Sequence, residues 1–368
     1  MKPPFPHALA DLCVKCGLCL PHCPTYRSDQ LESEGPRGRI AILQALAREE
    51  IEPTPTARSH LEHCLGCASC EAVCPAKVPY LELRDHGRAA ALSRGRRFFL
   101  WLLSHPGLAL LRSRATAFLQ ALPRPLQPKP MRSWPKPAPG GSWPQGKAAA
   151  ESPVLFRGCQ NDAWGRAAQA AAARLLLRID PGADTRPAPA CCGALPQHEG
   201  ALDMAASYRQ ALQADPRPLV ALDSGCLGDL RRSGREAHEL CRWLLQHWPA
   251  DWQPAPLPMT VALHLPCTHR NVAGDTRAVM ELLGRIPELR LETLQGLGCC
   301  GAGGLHAWDA PDHAAGFARA LLDQASPGTR TLLSTNLGCR LHLGAHASEW
   351  TVLHPVELLE RALMSARA

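Results

Sequence analysis

Aromatic residues are scarce, with Phe, Trp and Tyr making up 5% of the 368 residues. No lysine-rich run is interleaved with them, so stacking platforms for bases are missing and nucleic acid is set aside as a partner. Long apolar runs are absent as well. The most apolar stretch, Phe98 to Leu103 and then Leu108 to Leu111, is broken by His105, Pro106 and Gly107, whereas a spanning helix needs roughly 20 apolar residues. Met1 to Asp11 holds one Lys, three prolines and no apolar run, which is unlike a secretory leader and implies a reducing cytoplasm. No Gly-x-Ser-x-Gly elbow or His-Glu-x-x-His helix occurs, so serine-nucleophile and zinc-hydrolase chemistry have no motif here, and the glycines that follow Cys300, Gly301, Gly303 and Gly304, are read as a cluster-hugging loop rather than a nucleotide-binding turn. Charge is only mildly unbalanced, 40 basic against 33 acidic residues for a net +7, which suits an anionic surface or an acidic partner.

Cysteine is what the chain has in excess, at 17 residues. In a reducing compartment these thiols are free to bind metal. Cys13, Cys16, Cys19 and Cys23 precede Pro24, and Cys64, Cys67, Cys70 and Cys74 precede Pro75. Both follow the bacterial ferredoxin run, in which three thiolates wrap one [4Fe–4S] cubane and the fourth reaches the neighbouring cluster. The expected sets are therefore crossed: Cys13, Cys16, Cys19 and Cys74 for one cluster, Cys64, Cys67, Cys70 and Cys23 for the other. Zinc is the competing reading, but zinc sites usually separate two Cys pairs by a dozen residues or more. The 41 positions from Cys23 to Cys64 leave room for helices, so this region is expected to be mainly α-helical. Gly17 and Gly66 suit a close approach of backbone N–H groups to cluster sulfur.

A second cysteine pattern occupies the rest of the chain. Cys159, Cys191 and Cys192 recur 108 residues later as Cys267, Cys299 and Cys300, and Cys226 recurs 113 later as Cys339. Each Cys-Cys pair is followed by glycine, Gly193 or Gly301. Structural packing explains one or two buried thiols, not eight in register, so each copy is read as a metal site. Short apolar runs at Val154 to Phe156, Leu219 to Leu222, Val261 to Leu265 and Thr331 to Leu333 alternate with Ala- and Leu-rich segments, which predicts two copies of one α/β unit. Helices are predicted over Gly38 to Glu50 and Tyr80 to Arg97. Eight prolines between Pro123 and Gly146 predict an extended linker. The fold class is thus multidomain, with the boundaries 1–95 for an α-helical ferredoxin-like domain, 96–150 for an amphipathic stretch and linker, 151–258 for one cysteine-rich unit and 259–368 for a second.

The paired ferredoxin runs, the Gly35-Pro36-Arg37-Gly38-Arg39 segment between them and the two Cys-Cys-Gly units together resemble the iron–sulfur subunit of glycolate oxidase. Local features of that likeness are Leu265-Pro266-Cys267-Thr268, Cys299-Cys300-Gly301-Ala302-Gly303 and Thr335-Asn336-Leu337-Gly338-Cys339 with His342. The chain is also similar to the iron–sulfur subunits of respiratory D-lactate and glycerol-3-phosphate dehydrogenases and to heterodisulfide reductase. The resemblance covers nearly the whole chain. It implies two [4Fe–4S] clusters with further iron–sulfur clusters in the cysteine-rich units, an FAD-containing flavoprotein that performs the substrate chemistry, a quinone or other membrane acceptor, and a cytoplasmic protein peripheral on the inner membrane. One departure stands out. Heterodisulfide-reductase-like units end in a second Cys, where this chain has Asp229 and His342, which argues against a five-cysteine noncubane cluster and heterodisulfide cleavage.

Other residues carry open alternatives. Asp229 and His342 are read either as completing the two ligand sets or as supporting residues. His198, His264, His269 and His306 lie near cysteine loops and are either proton or quinone contacts or ordinary polar residues. Arg94 to Arg114 suits a membrane interface, a partner surface or core packing. Cys241 lies outside both registers and is read as packing.

Overall fold

The computed structural model describes residues 4–132, 144–159, 164–187, 190–274 and 276–365. Up to residue 132 every element is helical. Pro36 in the first turn, where a backbone N–H is dispensable, starts the helix Pro36–Ala47, close to the expected span. The expected helix over Tyr80 to Arg97 is instead two, Tyr80–Ala91 and Arg94–Ser104. Leu92 is extended, and the Ser93 hydroxyl accepts the Arg96 N–H at 3.2 Å, capping a new helix. The expected boundary at 95/96 therefore falls inside an element. A third helix, Ala109–Ala121, follows.

From residue 144 the chain joins an α/β region. Lys147 and Ala149 donate N–H to the Pro181 and Gly182 carbonyls, and the Thr185 hydroxyl donates to the Pro144 carbonyl. Residues 144–150 thus pair with the first α/β unit rather than forming linker; short 3₁₀ turns occupy Arg124–Leu126 and Lys129–Arg132, and residues 133–143 of the expected linker lie outside the described residues. Among the described residues the strands are β1 (Val154–Phe156), β2 (Leu219–Ala221), β3 (Ala237–Glu239), β4 (Met259–His264), β5 (Leu289–Leu294), β6 (Thr331–Ser334) and β7 (Thr351–Leu353). They form two parallel sheets, β1-β2-β3 and β5-β4-β6-β7. Registers correspond: Val154 faces Leu219 and bridges Asp184, while Ala262 faces Leu332 and Glu292. Those partners differ by the 108- and 113-residue offsets of the cysteines.

Both sheets contribute to one apolar core, with Leu155, Leu175, Val220 and Leu240 packed alongside Val261, Leu282, Leu333 and Leu358. Each such fully buried side chain is worth about 1.5–3 kcal/mol against exposure. The fully buried Cys241 belongs to this core, as a packing residue should. Helix Arg166–Ile179, rich in the strong helix former Ala, lies against helix Pro355–Ser365, with Arg174 paired to Glu360 across them.

The N-terminal helices rest on both α/β units. Gly200 sits under helix Tyr80–Ala91 at φ +83°, and a Cβ there would stand 2.4 Å from the Ala89 nitrogen. Gly200→Ala is therefore expected to cost on the order of 1–3 kcal/mol and to loosen the seat of that helix. Chemical denaturation with intact and cluster-free protein checks this; an unchanged midpoint contradicts it.

Candidate functional site

The two ferredoxin runs fold into two cavities of comparable size, about 330 and 340 Å³. One is lined by Cys13, Cys16, Cys19 and Cys74, the other by Cys23, Cys64, Cys67 and Cys70. These are the crossed sets expected from spacing. The first, with Cys16 exposed, is the outer cavity; in the second all four thiols are buried, so it is the inner one. Gly17 at φ +83° and Gly66 at φ +64° fold the backbone in the left-handed region beside Cys16 and Cys67. A Cβ at Gly17 would strike Arg37, and one at Gly66 would strike Arg84 and His198.

Burial of charge separates the cavities. Lys15 and Arg37 line the outer one, whereas Arg39 and Arg84 are buried, and Arg88 largely so, around the inner one. Arg39 pairs with Glu34 at 2.6 Å and donates to Thr25, whose hydroxyl meets the Cys23 sulfur at 3.3 Å. Burial opposes ionisation of Cys64, yet the three guanidinium groups outweigh it and move its thiol below the ordinary range. Burial pushes Cys67 up to about 12, with the neighbouring Cys267 adding to it, and Cys19 up to about 11. Thiols this reluctant to ionise alone give up their protons to a metal. Four thiols per cavity, compact spacing and backbone N–H groups bonded to Cys19 and Cys64 sulfur fit the ligand set and sulfur hydrogen bonding of an iron–sulfur cubane.

Apart from Cys241, the remaining cysteines gather beyond the carboxyl ends of the parallel strands, where doubly wound sheets place their ligands. Cys159, Cys191, Cys192 and Cys226 form a chain of touching thiols, Cys159 to Cys191 at 3.5 Å, and the Gly193 N–H donates to Cys191 at 3.4 Å. Cys267, Cys299, Cys300 and Cys339 repeat it, with Cys267 to Cys299 at 3.9 Å. Mutual hydrogen bonding, burial and neighbouring charge raise the Cys159 and Cys267 thiols well above their ordinary value. The second of these sites adjoins the inner cavity: Cys67, Cys267 and Cys299 share one buried cluster with Leu65 and Phe317. Asn271 fastens that junction by donating to the Cys67 carbonyl at 2.7 Å.

Other singled-out residues are engaged elsewhere. Asp229 pairs with Arg209 and Arg232, and His342 Nε2 meets the Ala314 carbonyl at 3.1 Å, so neither is brought to a ligand set. His269 bonds Thr335, His306 bonds His313, and His198 bonds Arg88. Helix Arg94–Ser104 packs Leu100 against Ala201 and Leu305, its Arg96 pairs with Glu199 and Asp309, and its exposed Arg97 pairs with Asp203. Phe98, Trp101, Leu111 and Phe118 remain exposed. Among the described residues, no helix is long and apolar enough to cross a membrane. Two features lay beyond the sequence reading: the arginine shell, hinted at only by Arg84 and Arg88 one turn apart, and the place of His264, read there only as a proton or quinone contact or an ordinary polar residue, within 4.8 Å of the Cys300 and Cys339 sulfurs.

Residues 9–78 match the pattern of a 4Fe-4S dicluster domain and residues 261–344 that of a cysteine-rich domain. The glycolate oxidase iron-sulfur subunit of Escherichia coli (strain K12) is 28% identical over 395 residues, 95% of this chain and 93% of that protein. A probable glycolate oxidase iron-sulfur subunit of Bacillus subtilis (strain 168) is 48% identical over 77 residues, 21% of this chain and 17% of its own length. An uncharacterized electron transport protein of Escherichia coli (strain K12) is 29% identical over 110 residues, 26% of this chain and 22% of its own. With both domains in place and alignment along 95% of its length, the chain is a homologue of the glycolate oxidase iron–sulfur subunits.

Proposed function

We propose that this chain is the electron-transfer subunit of a flavin-dependent glycolate dehydrogenase, carrying electrons from an FAD-containing partner towards a quinone. The observation that carries the reading is the sorting of eight N-terminal cysteines into two cavities of four. Bound there, [4Fe–4S] clusters supply one-electron redox chemistry, at potentials governed by ligation, hydrogen bonding, charge and solvent access. The chain's own residues do the rest. Cys13, Cys16, Cys19 and Cys74 hold the outer cluster and Cys23, Cys64, Cys67 and Cys70 the inner. Leu65 and Phe317 exclude water between the inner cavity and Cys267 and Cys299.

Further centres are assigned to Cys159, Cys191, Cys192 and Cys226 in a unit over 151–258, and to Cys267, Cys299, Cys300 and Cys339 in a unit over 259–368. Matching strand registers support two copies of one unit. The dicluster domain is assigned to the residues before helix Arg94–Ser104, and residues 144–150, which pair with the first cysteine-rich unit, are counted with that unit. The protein is placed in the cytoplasm at the inner membrane, its exposed Phe98, Trp101, Leu111 and Phe118 supporting peripheral attachment.

The test is reduction of a quinone analogue by the flavoprotein partner, with and without this chain, using glycolate and D-lactate in parallel. Glycolate-dependent reduction is expected to fall at least tenfold without the chain. An equal rate in its absence overturns the electron-carrier reading, and a preference for D-lactate overturns the substrate assignment alone.

A further inference from the structure

The two cysteine-rich sites are alike in their thiols and different beside them. The 108-residue offset that superposes Cys159 on Cys267 also sets Phe156, the last residue of β1, on His264, the last of β4. The 113-residue offset that superposes Cys226 on Cys339 sets Ala221, at the end of β2, on Ser334, at the end of β6. Where the first site has a phenyl ring and a methyl group, the second has an imidazole whose Nδ1 meets the Ser334 hydroxyl at 3.1 Å. His264 is only 2% exposed. It forms with Cys300 and Cys339 a set of three donors all within 4.8 Å of one another.

A buried imidazole costs free energy unless its nitrogens are used. Ser334 uses one. Holding Nδ1 by a hydrogen bond fixes ring orientation, which is how metal-ligating histidines are usually prepared, and with Nδ1–H donating to the Ser334 hydroxyl, Nε2 carries the lone pair a metal needs. His342, three residues beyond Cys339, is not available for this task because its Nε2 is spent on the Ala314 carbonyl. We propose that His264 is a nitrogen ligand of the centre held by Cys267, Cys299, Cys300 and Cys339, so that this centre is mixed thiolate and imidazole while that of Cys159, Cys191, Cys192 and Cys226 is all thiolate.

The inference rests on the proposed ligation by the second cysteine-rich unit, and one experiment separates the two. The full-length, reconstituted and reduced protein is examined by pulsed EPR in natural abundance and with ¹⁵N-histidine, alongside iron counts of the His264→Phe and Cys300→Ser variants. The expected result is a directly coupled nitrogen that changes isotope with the histidine label, disappears in His264→Phe, and belongs to a signal lost in Cys300→Ser. A Cys300-dependent signal without histidine nitrogen overturns the His264 assignment and leaves the thiolate site standing. Unchanged iron and spectra in Cys300→Ser overturn both. Isotope labelling of the unaltered chain decides the matter even where His264→Phe fails to fold, and Ser334→Ala, which frees the ring, is expected to weaken the coupling without abolishing it.

Discussion

Combining Cys74→Ser with Cys13→Ser is expected to remove no more iron than either change alone, whereas combining Cys74→Ser with Cys64→Ser empties both N-terminal sites. The reason is the crossed lining of the cavities: Cys74 faces Cys13, Cys16 and Cys19, and Cys23 faces Cys64, Cys67 and Cys70. Two losses in one ligand set count once, while losses in different sets add, the ordinary behaviour of independent sites. Ligation within each sequence run predicts the reverse, with Cys74 and Cys64 behaving as one set. Iron and sulfide per chain, together with the EPR of the reduced protein, separate the two patterns. Additive loss in Cys74→Ser/Cys13→Ser sinks the crossed assignment.

That pairing was legible because ligand spacing within a ferredoxin run is local and its fourth Cys has a fixed habit of reaching away. Strands β1, β2, β4 and β6 were legible too, as buried apolar runs. Strands β3, β5 and β7 were not. Leu289-Arg290-Leu291-Glu292 mixes charged with apolar residues, as an edge strand half open to solvent does, and Ala237-His238-Glu239 is too short and polar to read as an apolar run although Glu239 is buried. The break at Leu92–Ser93 escaped because a single serine cap interrupts an otherwise helical pattern.

The cationic shell around the inner cavity was the least legible feature. Isolated arginines are read as surface residues by default, and only folding brings Arg39 from between the cysteine runs to Arg84 and Arg88 on helix Tyr80–Ala91. The closeness of His264 to two particular thiols escaped for a related reason. The distance to Cys300 and Cys339 depends on β4 lying beside β5 and β6, a fact of sheet order that residue spacing does not contain.

Arg39→Met is expected to destabilise the protein by about 3–5 kcal/mol, because removing one partner of a buried ion pair leaves the other charge uncompensated. Arg39 and Glu34 side chains are 1% and 2% exposed, so water cannot take over. Arg39 also donates to the His60 carbonyl at 2.6 Å and to Thr25 at 3.0 Å, tying the first cysteine run to the helix that precedes the second. Acid sensitivity carries the same signature. Burial works against the Glu34 carboxylate, but hydrogen bonds from His63 and His60 and the Arg39 charge prevail and lower it to about 2. A depressed carboxylate stabilises the fold fully above its unfolded value of about 4.3 and loses that contribution as pH falls towards 2. Without Arg39 the Glu34 value rises towards its unfolded one, so the carboxylate has less stability to lose on acidification. Thermal midpoints recorded from pH 7 down to pH 3 for both proteins check this: the Arg39→Met curve is lower at pH 7 and the gap to the unaltered protein narrows as pH falls. Parallel curves separated by less than about 1 kcal/mol would mean that the Arg39–Glu34 pair is not what holds the inner cavity together.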